Sequence, residues 1–387
     1  MDTKLLVIGI LVAFALTFDF TNGFHDTANA MATSIATRAL PPRVAVILSG
    51  ALNFVGAFLG LTVAATIATG IVDNKVVTTT TVFAGLVGAI MWNLLTWLLG
   101  LPSSSSHAIV GGTVGATLVQ AGPAAVKGSG ILSKVLVPAM ASPIIAAAGA
   151  AIAVWLAVRL TRRNRSEFLS RGYRAGQIVS ASLVSLAHGT NDAQKTMGII
   201  TLALVANGSI ARSAGTPLWV VLACASAMGL GTYVGGWRVI RTLGRGITEI
   251  TPQQGFNAET ISSAVILVAS HLGFAVSTTH VTSGSVLGSG LGRGAPVRWS
   301  VAGQMLVAWL VTLPAAAAFG GAANSVARAI GGFPGVAITA AIALVVFATI
   351  WALSRRQPVS AHNVNVPIPV GARTALAMER GGAAVAA

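Results

Sequence analysis

PSSSSHAIVGGTVGAT, residues 102–117, has a second version later in the chain, VSTTHVTSGSVLGSGL, residues 276–291. Ser105-Ser106-His107 lies over Thr278-Thr279-His280, and each His is followed by Gly four and eight residues on: Gly111 and Gly115, then Gly284 and Gly288. Both stretches are too short and too polar to cross a bilayer, which takes about 20 apolar residues in a helix. Each nevertheless abuts a long apolar run. Irregular backbone at membrane depth is tolerated only where protein buries it or where it lines a wet cavity. The pair is therefore expected to form two re-entrant helical hairpins, near 102–121 and near 276–291, and to mark a site.

The rest of the chain reads as a membrane protein around them. Of 387 residues, 54% are hydrophobic and 9% charged, against roughly 25% charged in a soluble domain, and mean hydropathy is +0.80. Apolar runs near 4–22, 44–70, 76–99, 131–158, 176–207, 217–237, 258–275, 297–322 and 333–354 are candidate spans. They are continuously apolar rather than alternating, which argues for helices and against a barrel. The first run lacks a small-residue cleavage site before the polar cluster Thr21 to Asn29, so it reads as a spanning helix rather than a signal peptide. Small residues four apart, Gly56 with Gly60 and Gly231 with Gly235, suit close helix packing in lipid. The single Cys224 supports no disulfide framework. The fold class expected is all-α: a polytopic transmembrane protein of the cell membrane.

Lys and Arg total 24 against nine acidic residues. Most basic residues fall between apolar runs, densest at Arg159, Arg162, Arg163, Arg165, Arg171 and Arg174, so this segment is placed in the cytoplasm. No stretch is polar enough for long enough to build a nucleic-acid surface. A second duplicated motif lies upstream in each half, GFHDTANA at 23–30 and HGTNDAQK at 188–195. The aspartates are 166 residues apart and the histidines of the Ser/Thr motifs 173, so order is kept. The expected organisation is a first transmembrane repeat (1–158), a basic cytoplasmic loop (159–175), a second repeat (176–354) and a disordered tail (355–387). The repeats are expected to be inverted, which requires an odd number of crossings in the first.

Asp26 and Asp192 occupy matched places in the repeats, and an ionisable group inside a membrane marks an ion pathway by default. With His25 they form the candidate coupling-cation group; the alternative is helix capping in short connectors. The Ser/Thr clusters offer hydroxyls, and helix N-termini there favour an oxyanion such as phosphate. The candidate anion ligands are Thr27, Asn29, Ser104, Ser105, Ser106, Asn191, Gln194, Lys195, Ser277, Thr278 and Thr279. Back-bonding of the hydroxyls to their own helix is the structural alternative. Lys195 adds a positive charge or pairs with a carboxylate. His107 and His280 are read equally as structural and as handling a proton or substrate, with no further metal ligand at a productive spacing. Asn53 and Glu259 are weaker, supporting candidates. A membrane-embedded hydrolase is an alternative, though Ser106 and His107 are sequence neighbours and point apart on most backbones.

These motifs resemble those of the inorganic phosphate transporter (PiT) family, whose duplicated G-x-N-D-x-A-N-type segment matches Gly23 to Ala30 and Gly189 to Lys195, and whose P-[VI]-S-[ST]-T-H-x-x-x-G-type segment matches Pro102 to Gly111 and Val276 to Gly284. The likeness extends to about Arg356. His25 replaces Asn of the broad pattern, Gln194-Lys195 replaces Ala-Asn and Val276 replaces Pro; the first two departures are similar to the bacterial low-affinity branch. The resemblance implies a symporter rather than an enzyme, moving phosphate, at times as a neutral divalent-metal complex, with protons, where other branches use sodium. It implies no cofactor, an inverted-repeat core and a homodimer in the lipid bilayer. Sulfate permeases in the family keep another oxyanion as the alternative substrate.

Overall fold

The computed structural model describes residues 3–73, 75–162, 167–211 and 213–366. In lipid no water satisfies the backbone, so the apolar runs fold as helices. In chain order these are α1 (Thr3–Ala36), α2 (Pro42–Gly56), α3 (Thr62–Gly70), α4 (Thr79–Leu99), α5 (Ser105–Ala121), α6 (Gly128–Ile131), α7 (Val137–Thr161), α8 (Glu167–Ala206), α9 (Leu218–Val234), α10 (Trp237–Arg245), α11 (Pro252–His271), α12 (Thr278–Arg293), α13 (Trp299–Ile330) and α14 (Gly332–Ser354). Among the described residues there is no strand beyond two isolated bridges.

Among the described residues, five helical runs are long and apolar enough to cross a membrane: α1, α4, the continuous run Gly128–Thr161, α13 and α14. Helices α9 and α10, bent by 67° at their junction, add a sixth as one broken span. Leu160, Ile144, Val345 and Leu310 are among many exposed apolar side chains on these helices, the surface that lipid solvates.

Several sequence expectations are corrected. The polar cluster Thr21 to Asn29 does not end the first helix, because α1 runs through it to Ala36 and buries it against other helices. The apolar run 44–70 is two helices, broken at 57–61. The basic segment is mostly helix: α7 extends to Thr161 and α8 starts at Glu167, with 163–166 outside the described residues. The tail is not free from Arg355 onward. Arg238 donates to the Ser354 and Gln357 carbonyls, each at 2.6 Å, and Val364 is buried; residues 367–387 lie outside the described residues.

Helices α5 and α12 span about 25 Å each at 1.5 Å per residue, short of the roughly 30 Å hydrocarbon core. Each follows a non-helical segment, 101–104 and 274–277, after a positive-φ glycine, Gly100 or Gly273. Their glycines receive the backbone of another helix. A Cβ on Gly111 or Gly115 would meet the carbonyls of Leu313 and Ala317 on α13, and one on Gly284 or Gly288 those of Pro143 and Ala147 on α7. Each short helix therefore packs on the long proline-containing helix that follows the other. Gly56 and Gly231 likewise approach the Leu186 and Phe20 carbonyls, whereas Gly60 faces only a side chain. At Gly288 an added Cβ would lie 2.0 Å from the Ala147 oxygen. Gly288→Val is expected to lower stability by about 1–3 kcal/mol or more, read as an earlier thermal unfolding transition in detergent.

Candidate functional site

Helices α1 and α8 carry the two Asp motifs and run antiparallel: Thr196 Oγ1 donates to Asp19 Oδ1 at 2.8 Å, and Thr37 Oγ1 donates to Gln177 Oε1 at 2.8 Å. The motifs thus meet halfway along the pair. Helices α5 and α12 start at the same place, each with a matched N-cap: the hydroxyl of Ser104 accepts from His107 N and that of Ser277 from His280 N. This capping gives both serines a structural task, and their hydroxyls are already engaged.

The next residues of each short helix turn inward. Ser105 Oγ donates to Asp26 Oδ2 at 2.8 Å and Thr279 Oγ1 to Asp26 Oδ1 at 3.4 Å. Thr278 Oγ1 donates to Asp192 Oδ2 at 3.1 Å. Asn29 Nδ2 donates to the hydroxyls of Thr278 and Thr279 at 3.2 and 3.0 Å. Lys195, 0% exposed, sends Nζ to Asp192 Oδ1 at 2.5 Å, to Ser106 Oγ at 2.5 Å and to the Val276 carbonyl at 3.1 Å. Two helix N-termini, with their unpaired first-turn N–H groups, therefore converge on a lysine and two carboxylates.

His188 completes the centre, and the sequence reading gave it no role. Its Nε2 stands 3.1 Å from Asp192 Oδ2 and 3.9 Å from Asp26 Oδ2. Its Nδ1 lies 3.0 Å from Asn53 Oδ1, while Asn53 Nδ2 donates to Thr232 Oγ1 at 2.9 Å. The Asn53 oxygen can only accept, so Nδ1 carries a proton. Close approach of Nε2 to a carboxylate oxygen then requires a further proton between them. Asp26, His188 and Asp192 offer ligand atoms within 4.8 Å of one another, a spacing that also suits a cation. His25 Nδ1 pairs with Asp26 Oδ1 at 2.6 Å.

Other candidates fall elsewhere. Gln194 Oε1 accepts from the Val63 and Ala64 amides at 2.9 and 3.3 Å, capping α3 rather than facing the centre. Thr27 Oγ1 donates to the carbonyls of Gly23 and Thr232, joining α1 to α9. Asn191 Nδ2 holds Ser270 Oγ and the Phe274 carbonyl, anchoring the segment before α12, with its Oδ1 unpartnered. His107 and His280 contact each other edge to face, centroids 4.9 Å apart, and His280 stacks on Trp309 at 4.1 Å. Ser106 Oγ donates to the Val276 carbonyl, so the hydrolase pairing of Ser106 with His107 is not formed. Glu259 sits in a separate cluster, where its carboxylate accepts from Thr33, Ser34, Ser180 and Gln177.

The sequence profile of the phosphate transporter family matches residues 22–171 and 162–320. The chain is 57% identical over 367 residues to the probable low-affinity inorganic phosphate transporter of Mycobacterium bovis, covering 94% of this chain and 88% of that protein. It is 45% identical over 323 residues to the protein of the same description from Bacillus subtilis, covering 83% and 97%. A solved structure described as the sodium-dependent phosphate transporter matches with a TM-score of 0.72 at 25% identity, covering 84% of this chain and 100% of that one.

Proposed function

The chain belongs to the phosphate transporter family, and on that premise we propose that it imports inorganic phosphate as a secondary active symporter driven by protons. The convergence of the α5 and α12 N-termini on Lys195 carries this reading. Oriented N–H groups and helix dipoles favour an oxyanion, and Ser105, Ser106, Thr278, Thr279 and Asn29 add hydroxyl and amide donors around it. Asp26 and Asp192 would repel phosphate by about 4 kcal/mol per pair of unit charges at 4 Å in an effective dielectric of 20. A cation must therefore accompany the anion, and the two bindings become mutually dependent. A divalent metal travelling with phosphate would lessen the same repulsion as part of the cargo.

The proton is favoured as coupling ion because Lys195 already engages Asp192 and because the 3.1 Å approach of His188 Nε2 to Asp192 Oδ2 calls for a proton shared between the two. Sodium would have to compete with an ammonium group in place. The matched order of Asp-motif helix and capped short helix in each half supports an inverted-repeat core with re-entrant α5 and α12. The homodimer is carried from the family resemblance into this reading, and the particle mass in lipid nanodiscs tests it.

The deciding test is radiolabelled phosphate uptake into proteoliposomes under a proton gradient, a sodium gradient or neither, with sulfate as competitor. Accumulation driven by the proton gradient and insensitive to sulfate is expected. Accumulation driven by sodium alone would overturn the coupling ion, and full competition by sulfate would reassign the anion.

A further inference from the structure

Polar side chains on α1 continue beyond the motif along one face. Asp19, Asn22, Asp26, Asn29 and Thr33 follow at intervals of three and four within an arc of about 80° at 100° per residue, and all are buried. The stripe's later end meets Glu259 through Thr33, and its middle is the site described above. Its other end, Asp19, has no part in that chemistry.

Asp19 is 0% exposed. Its Oδ1 accepts from Thr196, the carboxyl is in hydrogen-bonding contact with the Cys224 thiol of α9, and its Oδ2 has no nitrogen or oxygen partner. One turn on, neither amide atom of Asn22 has a partner. Helix α4 runs parallel to α1, with Phe14 on Phe83 at 5.0 Å and Phe24 on Trp97 at 5.1 Å, which sets Asn93 at the level of Asn22. Both amide atoms of Asn93 are also unpartnered. Buried polar atoms are satisfied by protein or by ordered water, so this group of five on facing helices calls for internal water. A buried carboxyl oxygen without a partner needs a donor, which water or a proton on the carboxyl itself supplies. The charged groups that reach it are Asp192 and His188 on α8, with Lys195 next to Thr196; α4 and α14 contribute none, and Arg43 of α2 lies at that helix's start.

We propose that Asp19 is a proton-binding station on the external side of the phosphate site, exchanging its proton with water around Asn22 and Asn93 and relaying it along the α1 stripe toward Asp26 and His188. The side follows from charge bias. The basic flank at Arg159, Arg162 and Arg171 places the start of α8 in the cytoplasm, and Thr196 lies beyond Asp192 along that helix. The proton leaves the carboxyl for water and reaches the central carboxylates as a transferred proton, with no redox change. This inference rests on the proton-symport reading.

The test compares wild type, Asp19→Asn and Asp19→Glu in proteoliposomes. Phosphate exchange at equal pH on both sides and proton-driven accumulation are each followed across a pH series, with infrared difference spectra on phosphate addition. Asp19→Asn is expected to keep exchange while losing accumulation by about tenfold or more, and to lose a carboxylic-acid carbonyl band that Asp19→Glu retains in shifted form. An Asn variant that accumulates phosphate with the wild-type pH profile and an unchanged spectrum would overturn the proposal, as would equal loss of exchange and accumulation. A wild type indifferent to the proton gradient would instead sink the symport reading, and this relay with it.

Discussion

Asp26→Asn is expected to insert and fold but to accumulate phosphate roughly 100-fold more slowly under a proton gradient, a deficit of about 2.7 kcal/mol. The substitution keeps the shape of the side chain but leaves one oxygen, which can accept from Ser105 or from Thr279 and not from both, since the amide nitrogen only donates. What it removes is the charge that His25 meets at 2.6 Å and His188 faces at 3.9 Å. Without it, the proton between His188 and the carboxylates loses one of its two acceptors, while the α5 and α12 N-termini and Lys195 remain to bind phosphate. Phosphate binding to the purified variant should therefore survive where coupled uptake does not. The measurement is initial uptake normalised to folded protein in the membrane, beside equilibrium phosphate binding. Uptake at the wild-type rate would remove Asp26 from the coupling mechanism.

The duplicated motifs made the fold class and the centre of the site legible because each copy brings the same chemistry: a carboxylate inside a long helix and hydroxyls at the start of a short one. Pairwise meetings between those elements were not legible. His188 and Asp192 are four residues apart and share a helix face, a visible signal, yet the histidine gains its role only when Asp26 arrives from α1 and Asn53 from α2 fixes its proton. Gln194 shows the opposite case. Lying between Asp192 and Lys195 it reads as a ligand, but the start of α3 reaches it from more than a hundred residues away in sequence and takes its oxygen. Thr21 to Asn29 reads as the polar flank of a span ending near residue 22, with capping in a short connector as the alternative, since polar residues normally end an apolar span. Here the segment is buried against other helices, where Asp26, Thr27 and Asn29 find partners, and the helix continues.

Lys195→Met is expected to do more damage than the loss of any single site hydroxyl. The ammonium donates to Asp192, Ser106 and the Val276 carbonyl at once, so it ties the second Asp motif to both short-helix starts. Removing one member of a buried ion pair costs about 3–5 kcal/mol, since the other charge is left in a dry interior. Lower folded yield and a depressed unfolding temperature should follow, together with loss of uptake. Lys195→Arg should not rescue, because a planar five-donor fork does not fit three acceptors arranged around a single nitrogen. The discriminating variant is Asp192→Asn combined with Lys195→Met, which removes both charges. If the pair is structurally neutral once complete, the double variant recovers most of the stability lost by Lys195→Met, as a double-mutant cycle on unfolding temperature would register. Uptake should stay absent, because phosphate has lost its cation and the proton has lost a carboxylate acceptor. Recovery of proton-driven uptake along with stability would mean that the pair serves only to hold α8 against α5 and α12, and that the transported charge is balanced elsewhere along α1.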